Sequence, residues 1–188
     1  MPNSALSLTI LPPSWRSASP WTKALAASVL ALCVATATSS IWASRTLLIN
    51  ATASEPLGLY ARVAGAAAVG RIVAFYAPPA AFPYAERHLG YLRRVPMLKT
   101  IAGVAGDQIC TARGRLVINE RDLAPIVAVD GEGRTLPHWS ACRMLRQDEV
   151  FVFSARVPNS FDSRYFGPVP RGSILGVYAP LLTVGKVC

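Results

Sequence analysis

The pattern of apolar and polar positions changes character near residue 45. Up to residue 22 the chain, including LPPSWRSASPW, is rich in Pro and Ser and holds no period, which predicts a flexible tail over 1–22. From Ala24 to Ser44 it reads ALAASVLALCVATATSSIWAS without a charge, bracketed by Lys23 and Arg45. Beyond that point short apolar or alternating runs take over, rich in β-branched and aromatic residues. They are GRIVAFYAP (Gly70–Pro78), RLVIN (Arg115–Asn119), EVFVFS (Glu149–Ser154) and GSILGVYAPLLTV (Gly172–Val184, one strand or a pair). PMLKTIAGVAG reads as a further strand, and alternation puts Met97, Lys99 and Ile101 on one face. Gly and Pro punctuate at short intervals, so residues 45–188 are expected to form a mainly β domain. One short helix is expected within Ala80–Leu92; no internal repeat or low-complexity block is visible.

The stretch 23–44 is open to three readings. At 1.5 Å per helical residue it reaches about 30 Å, the thickness of a hydrocarbon core, so it suits a transmembrane anchor. Its Ala and Thr content makes it a weak span. ATA at Ala35–Ala37 resembles a small-residue cleavage site, so a removed secretory signal is the second reading. A buried core helix is the third, although Trp21 and Trp42 near the ends suit a membrane interface better. For a single early span, the usual result is a short tail inside and the bulk of the chain outside.

Charge narrows the partners. The net charge is +9, and from Arg45 onward 17 basic side chains face 10 acidic ones. That is expected to be a solvated basic surface near an acidic membrane face. Direct nucleic-acid binding is not expected, because the arginines are scattered and no helix-turn-helix, zinc-finger or RNA-binding signature accompanies them. The four cysteines, Cys33, Cys110, Cys142 and Cys188, never fall in a CxxC spacing, so no metal site is expected. Cys110 and Cys142 could pair if the domain is exported to an oxidising compartment. Cys188 ends GKVC, which is not a prenylation box.

Two residues carry candidate chemistry. In NATASEPLGLY (Asn50–Tyr60), Ser54 precedes Glu55-Pro56, and Gly58 lets the chain turn again. Such a turn can hold a hydroxyl at a fixed angle or be a plain Ser-x-Pro turn. A serine needs a base, yet neither His88 nor His138 has a carboxylate at a telling spacing, and both read as surface or packing residues. Lys99 is the other candidate. Sixteen of the cations are Arg and only three are Lys, yet the one set among Met97, Leu98, Ile101 and Ala102 is a lysine. An arginine stays charged, whereas desolvation can strip a lysine of its proton and make it a base. The plainer alternative is an edge-strand lysine snorkelling to water.

A third stretch, NSFDSRYFGPVPRGSILG (Asn159–Gly176), decides between these readings. Together with SEP and LKTIAGVAGDQI it resembles the signal peptidase I superfamily of Ser–Lys proteases (S26). That family has a Ser-x-Pro near its anchor, a Lys in a strand leading to Gly-Asp, and an Asn-Ser-x-Asp-Ser-Arg-x-x-Gly box, in this order. Within it the chain is most similar to the conjugative-transfer (TraF-type) peptidases. Their marks are SxPxGLY, here Ser54 to Tyr60, and a PxWxxC element, here Pro137, Trp139 and Cys142. The resemblance covers about residues 45–180.

The resemblance implies a signal-peptidase-like antiparallel β domain behind one N-terminal helix. It implies Ser54 as nucleophile and Lys99 as general base, with the Thr52 hydroxyl and the Ser54 amide facing the oxyanion. Ser160 would orient the lysine amine, and Asp162 and Arg164 would brace the site. No cofactor is implied. The expected function is a membrane-anchored endopeptidase, its domain in the periplasm, that processes a pilin-type precursor for a conjugative (type IV secretion) apparatus and can couple cleavage to ring closure. If the N-terminal segment is cleaved, the enzyme would be soluble in the periplasm. A general signal peptidase, a LexA-like self-cleaving protein and a non-catalytic envelope component with the same fold are the rivals. There are departures from the general family pattern. Glu55 stands where Met is common, Thr100 where Arg is common, GVAGDQ replaces Leu-Pro-Gly-Asp, and the last box lacks its opening Gly-Asp-Asn-Arg.

Overall fold

The computed structural model describes residues 19–82 and 84–184; for 35–45 and 112 it describes the backbone alone. Most of the expected N-terminal tail, the side chain of Trp42, and Cys188 therefore lie outside the described residues. The chain divides into two compact units, parted between Ser44 and Arg45.

The first unit is built on helix α1, Pro20–Thr46. Ser19 starts it: its hydroxyl accepts from the Thr22 amide, and Pro20 fills the first helical position, where no amide partner is needed. Trp21, Leu25, Leu30 and Leu32 are all exposed. Among the described residues no helix is long and apolar enough to cross a membrane.

The second unit is the expected antiparallel β domain. In chain order its elements are β1 (Leu47–Asn50), β2 (Leu57–Val63), β3 (Ile72–Phe75), α2 (Tyr84–His88) and β4 (Met97–Gly103). Then come β5 (Gln108–Cys110), β6 (Arg115–Ile118), β7 (Arg121–Pro125), β8 (Cys142–Met144) and β9 (Glu149–Val152). Last are α3 (Ser163–Phe166), β10 (Val169–Pro170) and β11 (Ile174–Val184). A seven-stranded sheet runs β1-β2-β11-β3-β4-β9-β10, and a four-stranded sheet runs β7-β6-β5-β8. Every strand pair in these two sheets is antiparallel.

The expected helix within 80–92 is broken. A 3-10 turn, the five residues of α2 and a second 3-10 turn share that stretch. The sequence gives a physical reason, because Pro83 and Gly90 both oppose a continuous helix. The last apolar run forms one strand rather than a pair, bent by an irregularity between Pro180 and Leu182. Gly58 is needed there: its φ is +147°, and a Cβ on it would collide with the Leu182 backbone of β11.

Strand β4 lies near the middle of the large sheet. Met97 and Ile101 join Val73, Phe75, Val150 and Val152 in the main core, while Leu98 packs on the opposite side with Tyr60 and Tyr178. Lys99 shares the face of Met97 and Ile101, so the strand carries its amine into the covered side of the sheet. A second core of Ile109, Leu116, Ile118, Leu145 and Phe151 joins the small sheet to β9. A disulfide between Cys110 and Cys142 links β5 to β8, where the two cysteines are directly paired.

Candidate active site

Ser54 sits in the loop between β1 and β2. Asn50 organises this loop from inside. Its side-chain amide donates to the carbonyls of Thr52, Glu55 and Pro56 at 2.9, 2.9 and 3.0 Å. Its Oδ1 accepts from the amide and hydroxyl of Thr52 at 3.2 and 3.0 Å. One buried Asn thus satisfies several loop groups that no strand could pair. Tyr60 adds a bond from its hydroxyl to the Pro56 carbonyl at 2.8 Å. From across the domain, the Ser154 hydroxyl donates to the Ser54 carbonyl. Ser54 itself is buried, and its Oγ lies 3.3 Å from the Thr52 hydroxyl.

Lys99 is only 4% exposed. Its Nζ donates to the Ser160 hydroxyl at 2.8 Å. Burial pushes its pKa down from 10.5 to about 8; the Asp162 and Glu55 carboxylates pull it back up, and the Arg164 guanidinium pushes it down. At pH 7 roughly one molecule in ten then carries a free amine, against fewer than one in a thousand for an ordinary lysine. The snorkelling alternative fails, because the amine is inside.

Asp162 and Arg164 form a wholly buried pair, with Arg164 Nε 2.8 Å and Nη2 3.0 Å from the carboxylate oxygens. Asp162 also caps α3 by accepting from the Arg164 amide at 3.2 Å. The guanidinium donates onward to the carbonyls of Pro125, Pro158 and Ser160 at 3.0, 3.3 and 2.9 Å. Paired and fully hydrogen-bonded, the two charges tolerate burial. They fix the segment that presents Ser160 to Lys99. Phe153 and Tyr165 flank the guanidinium at 4.9 and 5.3 Å. Trp139 closes this end: it packs 5.7 Å from Phe151 and fills the space beside Gly167, where a Cβ would come within 2.7 Å of its ring.

Ser54, Lys99, Thr52 and Ser160 line one cavity of about 530 Å³. Its other walls are largely apolar and include Leu48, Leu92, Met97 and Phe161. Neither histidine lines it: His88 packs 4.9 Å from Tyr84, and His138 is exposed. Of the residues singled out from sequence, Asp162 and Arg164 stand behind the wall rather than in it. Three contributors escaped the sequence reading. Asn50 was findable, since Asn two residues before a turn residue commonly bonds that residue's amide. Ser154 had no local signal, for its partner is far away in the chain. The third, Glu55, was noticed only as a departure from a pattern.

The fold and the cleft define an antiparallel β domain in which a serine hydroxyl and a desolvated lysine amine line one apolar cavity. The chain belongs to the family described as signal peptidase, peptidase S26, which matches residues 21–182. It is 35% identical over 146 residues to a probable conjugal transfer protein TraF of Sinorhizobium fredii, covering 72% of this chain and 76% of that one. A conjugal transfer protein TraF of Agrobacterium tumefaciens is 33% identical over 147 residues, covering 72% and 81%. A solved signal peptidase I from Enterococcus faecalis is 20% identical, covers 61% of this chain and 98% of that one, and has a TM-score of 0.37.

Proposed function

We propose that this protein is a membrane-anchored serine endopeptidase that matures an exported pilin-type precursor for conjugative DNA transfer. The observation that carries the reading is Lys99: a buried amine with a lowered pKa, held by Ser160, in the same cavity as Ser54. Ser54 Oγ attacks the scissile carbonyl and passes its proton to the neutral Lys99 Nζ. The oxyanion is met by the Ser54 amide and the Thr52 hydroxyl. At rest that hydroxyl donates to Asn50 Oδ1, so it turns its hydrogen into the cavity as charge develops. Lys99 then returns the proton to the leaving amine. Water completes hydrolysis of the acyl-enzyme; an amine of the same precursor, attacking instead, would close a ring.

Family membership supports the protease chemistry, and the names of the relatives support a place in conjugal transfer. The Cys110–Cys142 bridge suits a domain facing an oxidising compartment such as the periplasm. The exposed apolar side chains of α1 suit contact with lipid, through an anchor that is retained or a signal that is later removed. The test is mass spectrometry of the pilin-type precursor after incubation with the full-length protein or its Ser54→Ala variant. A Ser54-dependent cut is expected, and the product mass separates linear from cyclic ends. Equal processing of a generic secretory precursor would favour a general signal peptidase, and processing that survives Ser54→Ala would defeat the catalytic reading.

A further inference from the structure

We propose that Glu55 is a positioning residue for the Ser54–Lys99 pair, tying the Ser54 loop to β4 through a single carboxylate oxygen. This rests on the peptidase reading above. Glu55 Oε1 accepts from both the amide and the hydroxyl of Thr100, each at 2.8 Å. Glu55 follows Ser54 and Thr100 follows Lys99, so the brace joins the immediate neighbours of the two reacting groups.

The place of this brace in the sheet explains why it is needed. Strands β4 and β9 pair up to Ile101 opposite Val152, and the Phe153 amide still reaches the Thr100 carbonyl at 3.0 Å. There the ladder stops, because the chain after β9 turns to other partners. The Ser154 amide points to Asp162 Oδ2 at 3.4 Å, and its hydroxyl goes to the Ser54 carbonyl. The Thr100 carbonyl is thus met from the β9 side, but its amide is not bonded to a strand carbonyl. Glu55 supplies the acceptor from its side chain. The Ser54 loop is thereby held on both flanks, by Ser154 on one and Thr100 on the other.

A mere filler at this position would be apolar. Glu55 is 4% exposed, and burying a carboxylate is costly unless its hydrogen bonds repay it. Geometry is what the two bonds secure, and a displacement of about 1 Å between reacting groups can cost ~10²-fold in rate. The two departures from the general family pattern, Glu55 and Thr100, are therefore each other's partners.

Glu55 also acts on Lys99 by charge, alongside Asp162 and Arg164; Lys99 and Arg156 are the charges acting on Glu55. Positioning and charge can be parted by substitution. Glu55→Gln keeps the acceptor oxygen and removes the charge. Glu55→Ala removes both, and Thr100→Val removes only one donor.

The experiment measures kcat, KM and the pH midpoint of activity for the full-length protein on a quenched fluorescent peptide with a small-residue leader junction. Glu55→Ala should lower kcat ~10²-fold with little change in KM. Thr100→Val should fall between it and the parent. Glu55→Gln should keep kcat within a few-fold and move the midpoint to lower pH. Should Glu55→Ala not fold, the Gln and Val variants still decide: equal losses in both, with the midpoint unmoved, overturn the proposal. Hydrogen exchange at the Thr100 amide, measured in a Ser54→Ala background, reads the brace without activity. It should speed up when Glu55 becomes Ala, and unchanged exchange overturns the brace alone. Cleavage that survives Ser54→Ala overturns the peptidase reading and the positioning role together.

Discussion

Replacing Lys99 by Met should make the protein more stable while abolishing its activity. A lysine whose pKa falls from 10.5 to about 8 on folding is penalised whenever both states would prefer it protonated. The fall is about 2.5 pH units at ~1.4 kcal/mol each, so folding loses ~3 kcal/mol at pH 7. Methionine fills a similar volume without the charge, and the buried Asp162 keeps its Arg164 partner. The sign follows from the proton count. Between about pH 8 and 10.5 the unfolded chain holds the lysine proton and the folded chain has released it, so stability rises with pH there. Below about 8 the penalty is constant, and above 10.5 it is gone. Urea unfolding of the full-length protein and its Lys99→Met variant, at pH 7 and again near 10.5, measures the difference. The variant should lead by ~3 kcal/mol at pH 7, and the lead should shrink toward zero at the higher pH. A variant no more stable than the parent at pH 7, or a gap that ignores pH, would refute the desolvated amine.

Three further outcomes follow from the same geometry. The activity kcat/KM should climb about tenfold per pH unit up to about 8 and then level, as Lys99 becomes neutral; a stopped pH series of peptide cleavage checks this. Thr52→Val should lower kcat by ~10²–10³ through loss of an oxyanion donor, with KM nearly unchanged in the same assay. Gly167→Ala should destabilise the domain by ~1–3 kcal/mol, read by thermal unfolding, since φ there is +80° and the new methyl would meet Trp139.

Much of this was legible in the sequence because the motifs lie on local chemistry. Ser54-Glu55-Pro56 and the Asp162-Ser163-Arg164 turn stood out through the resemblance that their motifs carry, and the alternation Met97, Lys99, Ile101 carried the lysine to the covered face. The strands with β-branched runs were found, among them β3, β4, β6, β9 and β11. The others were not: β1 and β2 flank the turn over 51–56, β7 opens on Arg121 and Asp122, and β5, β8 and β10 have three residues or fewer. These strands lack a β-branched apolar run and are fixed by their neighbours in the sheet. The Ser154 and Glu55 bonds were invisible for another reason. They span 100 and 45 residues of chain, so nothing local could signal them. The helix α1 shows the opposite limit, where the apolar run marked an element correctly but could not say what surrounds it.

Lys99→Arg tests the central claim most directly. Arginine keeps the positive charge and the hydrogen-bonding reach, and gives up only the ability to become neutral at ordinary pH. The measurement is processing of the pilin-type precursor by the folded Lys99→Arg protein beside the parent and Ser54→Ala. The expected result is a folded variant as inactive as Ser54→Ala. Cleavage by Lys99→Arg at near the parent's rate would mean that Lys99 is not the base.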